Sequence, residues 1–369
     1  MKITGVELRR VGLPLVAPFE TSFGSQTDRD ILLLRVVTTD GEGWGECVAM
    51  SAPVYSPEYV DGAADVLRRF LVPALAAAGP VEAPQVAQVL APYHGHPMAK
   101  AALEMAVLDA ELRASGMSFG SYLGAVVPSV PAGVSVGIMR SIDELLAAVE
   151  GYVAEGYVRI KLKIKPGWDL EPVRAVRERF GDDLLLQVDA NTAYRIGDAR
   201  HLAQLDPFDL VLMEQPLPED DVRGHAVLAG LIKTPVCLDE SITSARSAAD
   251  AIALGACAIV NIKPGRVGGY LEARRVHDVC LANGIPAWCG GMLETGIGRA
   301  ANVALAGLPG FTLPGDTSAS SRYYARDITT PFVLDKGHVA VPTGPGLGVD
   351  LDQEFLAEIT TATEWIRFS

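Results

Sequence analysis

The chain has 369 residues, 49% hydrophobic and 21% charged, too long for a disulfide-stapled miniprotein and too apolar for a disordered one. Its 45 acidic residues outnumber 31 basic ones, giving a formal charge of −14 that repels phosphate backbones and excludes nucleic acid as a partner. No apolar run approaches the ~18 residues of a membrane span, and the opening MKITGVELRRVGLPLVAPFE has no signal-like apolar core, so no membrane association is expected. The five cysteines (Cys47, Cys237, Cys257, Cys280, Cys289) form no Cys-x-x-Cys pair and read as reduced core residues of a cytoplasmic protein.

Residues 1–125 read as an α+β unit. ILLLRVVT (31–38) is β-rich, and GEGWGEC leads by a turn into another strand. After Pro57 the apolar spacing becomes three and four, in EYVDGAADVLRRFLVPALAAAG and AKAALEMAVLDAELRA, and Gly116 supplies a helix stop. Residues 126–320 alternate between short strands and helices. The strand runs are GVSVGI, VRIKLKI, LLLQVDA, LVLMEQP, PVCLDE, AIVNIKP, IPAWCGG and FTLPG. Strand–helix alternation implies right-handed crossovers and a parallel sheet, and eight runs suffice to close a barrel. Residues 321–369, with FVLDKGHVAVPTGPGLGV, read as a β-rich tail expected to return to the N-terminal unit.

The chemistry lies in where charges fall within this period. Lys163, Asp189, Glu214, Asp239 and Lys263 each end a strand run, at separations of 26, 25, 25 and 24 residues. One strand-end aspartate is ordinarily a turn or helix-cap residue. Five successive ionisable strand ends are not, because the carboxyl rim of a barrel is where such side chains converge. Strand alternation adds that Arg159, Lys161 and Lys163 share one face, as do Gln187, Asp189 and Asn191, while Val158, Ile160, Leu162 and Ile164 turn to the helix layer. The charges therefore point inward, where burial is costly without partners.

Three carboxylates on neighbouring strands make a hard oxygen site suited to Mg²⁺ or Mn²⁺. The six histidines avoid these strand ends, against a zinc hydrolase. Lysines on both sides suggest proton transfer, with an amine pKa lowered from about 10.4 towards neutrality, as a general base needs. The chemistry expected is metal-assisted removal of the proton alpha to a carboxylate. A metal-dependent carboxylate binder without turnover is the rival of another class, but a binder has no use for two opposed lysines.

The motifs KLK (161–163), VDAN (188–191), EQP (214–216), LDES (238–241) and NIKPGRVGG (261–269) together resemble the enolase superfamily in its muconate-lactonizing branch, over essentially the whole chain. The resemblance implies an α/β fold, a (β/α)7β TIM-like barrel with an α+β capping domain formed by the N-terminus plus the C-terminal tail. It implies Mg²⁺ or Mn²⁺ on Asp189, Glu214 and Asp239, with Lys163 and Lys263 as opposed acid and base and Lys161 beside the metal-bound carboxylate.

Within that branch GGMLETGIG (290–298) and KPGRVGGYLEARRVHDVC most resemble o-succinylbenzoate synthases that also racemise N-succinylamino acids. The Asp-x-Asp of dipeptide epimerases is absent from FTLPGDTSAS around Asp316, while a muconate-type cycloisomerase shares the lysines and stays open as an alternative. The substrate implied is a small carboxylate with a succinyl arm, handled by a homo-oligomer. By the same resemblance Ser135, Asn191, Gly291, Met292 and Leu293 should line the site, and Phe19, Phe23, Met50 and Tyr55 should close over the succinyl arm. Arg266 would tune Lys263 by like-charge repulsion or else cap a helix.

Overall fold

Three long strands open the chain. In the computed structural model, which describes residues 1–368, β1 (Ile3–Thr21), β2 (Gly24–Thr38) and β3 (Glu42–Cys47) pair as an antiparallel meander. Register slips between Pro14 and Phe19, where proline withholds a ladder donor, and the hairpin tip then accepts the Ile138 N–H at Glu20 O (2.9 Å). β3 lies directly on the helix Pro97–Ser115. A Cβ on Gly43 would stand 2.2 Å from Ala110 N, and one on Gly45 would stand 2.0 Å from Ala102 O. Glycine on the strand facing Ala102, Ala106 and Ala110 on the helix thus permits backbone contact. The helix stops at Gly116, which takes a left-handed conformation (φ 71°).

The alternating region forms β4 (Ser129–Pro131), β5 (Gly133–Val136), β6 (Arg159–Lys163), β7 (Leu185–Asp189), β8 (Met213–Glu214), β9 (Val236–Leu238), β10 (Ile259–Ile262) and β11 (Ala287–Cys289). Strands β5 to β11 adjoin in sequence order in one parallel sheet, with helices in the connections. Local chemistry sets those helices: Leu170–Phe180 starts with Asp169 accepting the Leu170 N–H and stops at Gly181.

The eighth expected strand, FTLPG, is not a regular strand. Residues 311–316 instead bridge the gap by single bonds, Thr312 N–H to Ala287 O (3.2 Å), Asp316 N–H to Cys289 O (2.8 Å) and Gly133 N–H to Gly315 O (2.8 Å). Pro314 removes one donor, so no continuous ladder forms there. Inside the barrel, Leu212, Cys237, Ile259 and Trp288 make a separate apolar plug below the rim.

The tail divides, rather than returning as one piece to the N-terminal sheet. β12 (His338–Ala340) pairs with β4, next to the barrel, and only β13 (Thr360–Arg367) lies antiparallel on β1. No helix among the described residues is long and apolar enough to cross a membrane, and all five cysteines are free and buried.

Candidate active site

The parallel register brings the strand-end charges level. Lys163 pairs with Asp189 across β6 and β7, and Asp189 with Glu214 across β7 and β8. Asp239 directly follows β9, and Lys263 directly follows β10 as the residue that opens the turn Pro264–Val267. All five are buried.

Alternation along β6 stacks three cations along the barrel axis. Arg159, the deepest, donates to Pro314 O (2.9 Å) and Asp316 (3.0 Å), and lies 5.1 Å over the Trp288 ring. Lys161 Nζ follows, 2.6 Å from Asp316, 3.2 Å from Glu214 and 3.5 Å from Asp189, and 4.7 Å over the same indole. At the mouth Lys163 Nζ donates to Asp189 (2.5 Å) and to Asn191 Oδ1 (2.7 Å). Across the rim Lys263 Nζ donates to Asp239 Oδ2 (2.8 Å) and to the Tyr55 hydroxyl (3.2 Å). Arg266 takes the other oxygen of Asp239 and is fixed by Ile242 O and Asn261 O, each at 2.6 Å. It is a buried partner of Asp239 rather than a helix cap.

Backbone strain concentrates here. Asn191, Thr192, Gln215 and Leu293 are four of the seven non-glycine residues with positive φ among the described residues, and all follow barrel strands. Gln215 uses its strained position to hold the next rim residue, its Oε1 accepting the Asp239 N–H at 2.9 Å. Gly290 leaves room for the amine, since a Cβ there would stand 2.8 Å from Lys263 Cε.

The electrostatics follow from this pairing. Burial pushes Asp189 up, but Lys163 and then Lys161 more than cancel that and bring it down to about 2. Glu214 is raised, by burial and then by the like charge of Asp189. Glu240, which accepts from Asn191 Nδ2 (3.0 Å), is raised to about 7 by burial and then by Asp189. The lowered amine pKa expected from the sequence is not found for Lys161 or Lys263. Burial does lower each, but Asp316, Glu214 and Asp189 outweigh it at Lys161, and Tyr55, Glu214 and Glu240 outweigh it at Lys263, so both are raised. An amine paired with acids keeps its proton.

Asp189, Glu214 and Asp239 offer hard oxygen donors on consecutive strand ends, and the like-charge repulsion that raises Glu214 is what a divalent cation would relieve. The donor chemistry thus fits such an ion. In this structure the lysine amines pair with these carboxylates, Lys161 with Asp189 and Glu214, Lys163 with Asp189 and Lys263 with Asp239.

A cavity of about 50 Å³ lies between this rim and the first sheet. Lys163, Lys263, Asn191, Gly291, Met292 and Leu293 line it from the barrel, and Phe19, Phe23, Met50 and Tyr55 from the other side. Ser135 does not line it: its hydroxyl lies deeper on β5, 3.4 Å from Asp316. Thr21, Gln26 and Arg29, which no sequence pattern singles out, also line the cavity, and Asn261 Nδ2 donates to Glu214 at 2.6 Å. Asp316, which in the sequence marks only the absent Asp-x-Asp motif, anchors both Arg159 and Lys161. Asn261 was within reach of the alternation rule, two residues before Lys263. The sharp contact from β1–β2 to the rim includes the Ser22 hydroxyl on Asn191 O (3.1 Å) and Glu20 with Lys165 (3.1 Å).

Residues 3–124 match the family described as mandelate racemase / muconate lactonizing enzyme, N-terminal domain, and residues 144–355 match enolase C-terminal domain-like. An N-succinylamino acid racemase of Amycolatopsis sp is 71% identical over 99% of this chain and 100% of its own length. An o-succinylbenzoate synthase of Geobacillus kaustophilus is 48% identical over 98% of this chain and 96% of its own. A solved enolase superfamily member from Listeria innocua superposes with a TM-score of 0.95 at 40% identity, covering 100% of both chains.

Proposed function

The chain belongs to the enolase superfamily, and from that premise we propose that it forms an enediolate by removing the proton alpha to a carboxylate, as an o-succinylbenzoate synthase and N-succinylamino acid racemase. The observation that carries this reading is that Lys163 and Lys263 reach one small cavity from β6 and β10, with the three carboxylate-bearing strands between them. Two amines on opposite sides of one space are what inversion at a carbon requires.

Lys163 is the base and Lys263 the acid in this scheme. Tyr55, Glu214 and Glu240 keep the Lys263 amine charged, which suits a proton donor. In racemisation Lys163 takes the α-proton and Lys263 supplies one to the opposite face, with the roles exchanged for the other enantiomer. In synthesis Lys163 takes the α-proton of 2-succinyl-6-hydroxy-2,4-cyclohexadiene-1-carboxylate and returns a proton to the departing hydroxyl, which leaves as water as the ring aromatises, while Lys263 serves as a cation beside it. Asn191 steadies Lys163, and Tyr55 and Asp239 steady Lys263. Asp189, Glu214 and Asp239 would hold Mg²⁺ or Mn²⁺, which would supply positive charge to stabilise the substrate carboxylate as the α-proton leaves. Phe19, Phe23, Met50 and Tyr55 form the apolar wall for the succinyl arm, and Arg266 sets the basicity of Lys263 through Asp239.

The test is α-proton exchange of N-succinylamino acids in D₂O. Lys163→Ala and Lys263→Ala should each lower racemisation by at least 10²-fold, the usual worth of a positioned proton-transfer group. Racemisation retained in either variant rejects the two-lysine assignment.

A further inference from the structure

Arg29 is an anomaly that the proton-transfer scheme does not use. It is only 3% exposed, on a stretch of β2 where Thr27 and Asp28 are open to solvent. Its sequence neighbours Asp28 and Asp30 lie on the other face of the strand, and Asp30 pairs there with Arg10. Arg29 therefore has no carboxylate partner among the described residues. Its guanidinium makes two long hydrogen bonds, Nη1 to Gln26 Oε1 (3.2 Å) and Nη2 to Val48 O (3.4 Å), and Nε is buried without any partner. A buried cation left in that state is destabilising unless an anion completes it. Arg29 lines the same cavity as Lys163 and Lys263, reaching it from β2 while they reach it from the barrel, and Phe19, Met50 and Met292 line it too.

We propose that Arg29 is the receptor for a second carboxylate on the substrate, the terminal carboxylate of its succinyl arm. The planar guanidinium offers parallel donors that match a carboxylate, which a lysine amine does not. The assignment rests on the proposed succinyl-substrate reading and deepens it. It makes the enzyme select a dicarboxylate, with one carboxylate activated at the rim and the other held at β2.

The experiment is titration calorimetry of the Mg²⁺-supplemented protein with N-succinyl-L-phenylalanine and N-pentanoyl-L-phenylalanine, which match in length and differ in the terminal carboxylate. The wild type should prefer the succinyl compound by about 10- to 100-fold, the range for a hydrogen-bonded charge pair. In Arg29→Met the two affinities should fall within about threefold of each other, and Arg29→Lys should keep part of the preference. The ratio within one variant cancels any general loss of folded protein. If Arg29→Met does not fold by circular dichroism, Arg29→Lys and Arg29→Gln decide by the same ratio. A wild type with no preference, or a preference that survives the substitutions, overturns the proposal. Racemisation by the wild type is followed separately. Absent turnover with an Arg29-dependent preference rejects the proposed activity alone, and intact turnover with an Arg29-independent preference rejects only the role of Arg29.

Discussion

Glu104 couples the first sheet's helix to the barrel in a way that pH should expose. It lies in the middle of Pro97–Ser115, 2% exposed, and accepts the Leu271 N–H (3.1 Å) at the start of the helix Tyr270–Ala282. Burial raises its pKa from the usual 4.5 to about 7, against the lowering effect of the Leu271 and Tyr270 N–H groups. The folded state thus holds this proton more tightly than the unfolded chain. The resulting stabilisation is complete below about pH 4.5 and is lost as pH rises through 7, a change of about 3 kcal/mol at 1.4 kcal/mol per pH unit. Glu104→Gln removes the titration but weakens one N–H acceptor, a loss of about 1 kcal/mol. The variant should be about 1 kcal/mol less stable than wild type at pH 4.5 and about 2 kcal/mol more stable at pH 8. Urea unfolding of both proteins at the two pH values measures this. A stability difference that does not change with pH refutes the reasoning.

Three further perturbations bear on the rim. EDTA should abolish turnover and Mg²⁺ or Mn²⁺ should restore it, read by polarimetry of N-succinylamino acids; chelator-insensitive turnover rejects the metal assignment. Arg266→Gln removes the cation that shares Asp239 with Lys263, which should hold the ammonium more firmly and slow racemisation more than dehydration, since only racemisation needs Lys263 to accept a proton; equal losses in both assays count against this. Asp316→Asn leaves Arg159 and Lys161 short of a buried counter-charge and should cost about 3–5 kcal/mol by thermal melting. An unchanged melting temperature would show that the pair of cations needs no such anchor.

The rim was legible because two periodicities coincide: side chains alternate along each strand, and the strand–helix unit repeats every 24 to 26 residues. Those rules place Lys161, Lys163, Asp189 and Glu214 inward without knowledge of any contact. They fail where the backbone is irregular. Asp316 follows Pro314 and Gly315 in a segment with no strand alternation to read, and the FTLPG run looked like a strand only by composition. Arg29, flanked by Asp28 and Asp30, reads as an ordinary surface charge, and only the packing over β2 shows it to be buried. The protonation of Lys161 and Lys263 is illegible in the sequence for a third reason. Burial and pairing act in opposite directions on an amine, and the winner is set by distances that sequence does not contain.

The indole of Trp288 lies at the centre of this charge stack, fully buried, with an ammonium and a guanidinium against its face and the Cys237 sulfur 3.4 Å from its Nε1. The barrel therefore carries its own fluorophore within 5 Å of Lys161 Nζ. Cation or substrate binding that redistributes the rim's charges must shift the field on that ring, one of four tryptophans in the chain, so its share of the emission responds to the ionic state of the interior.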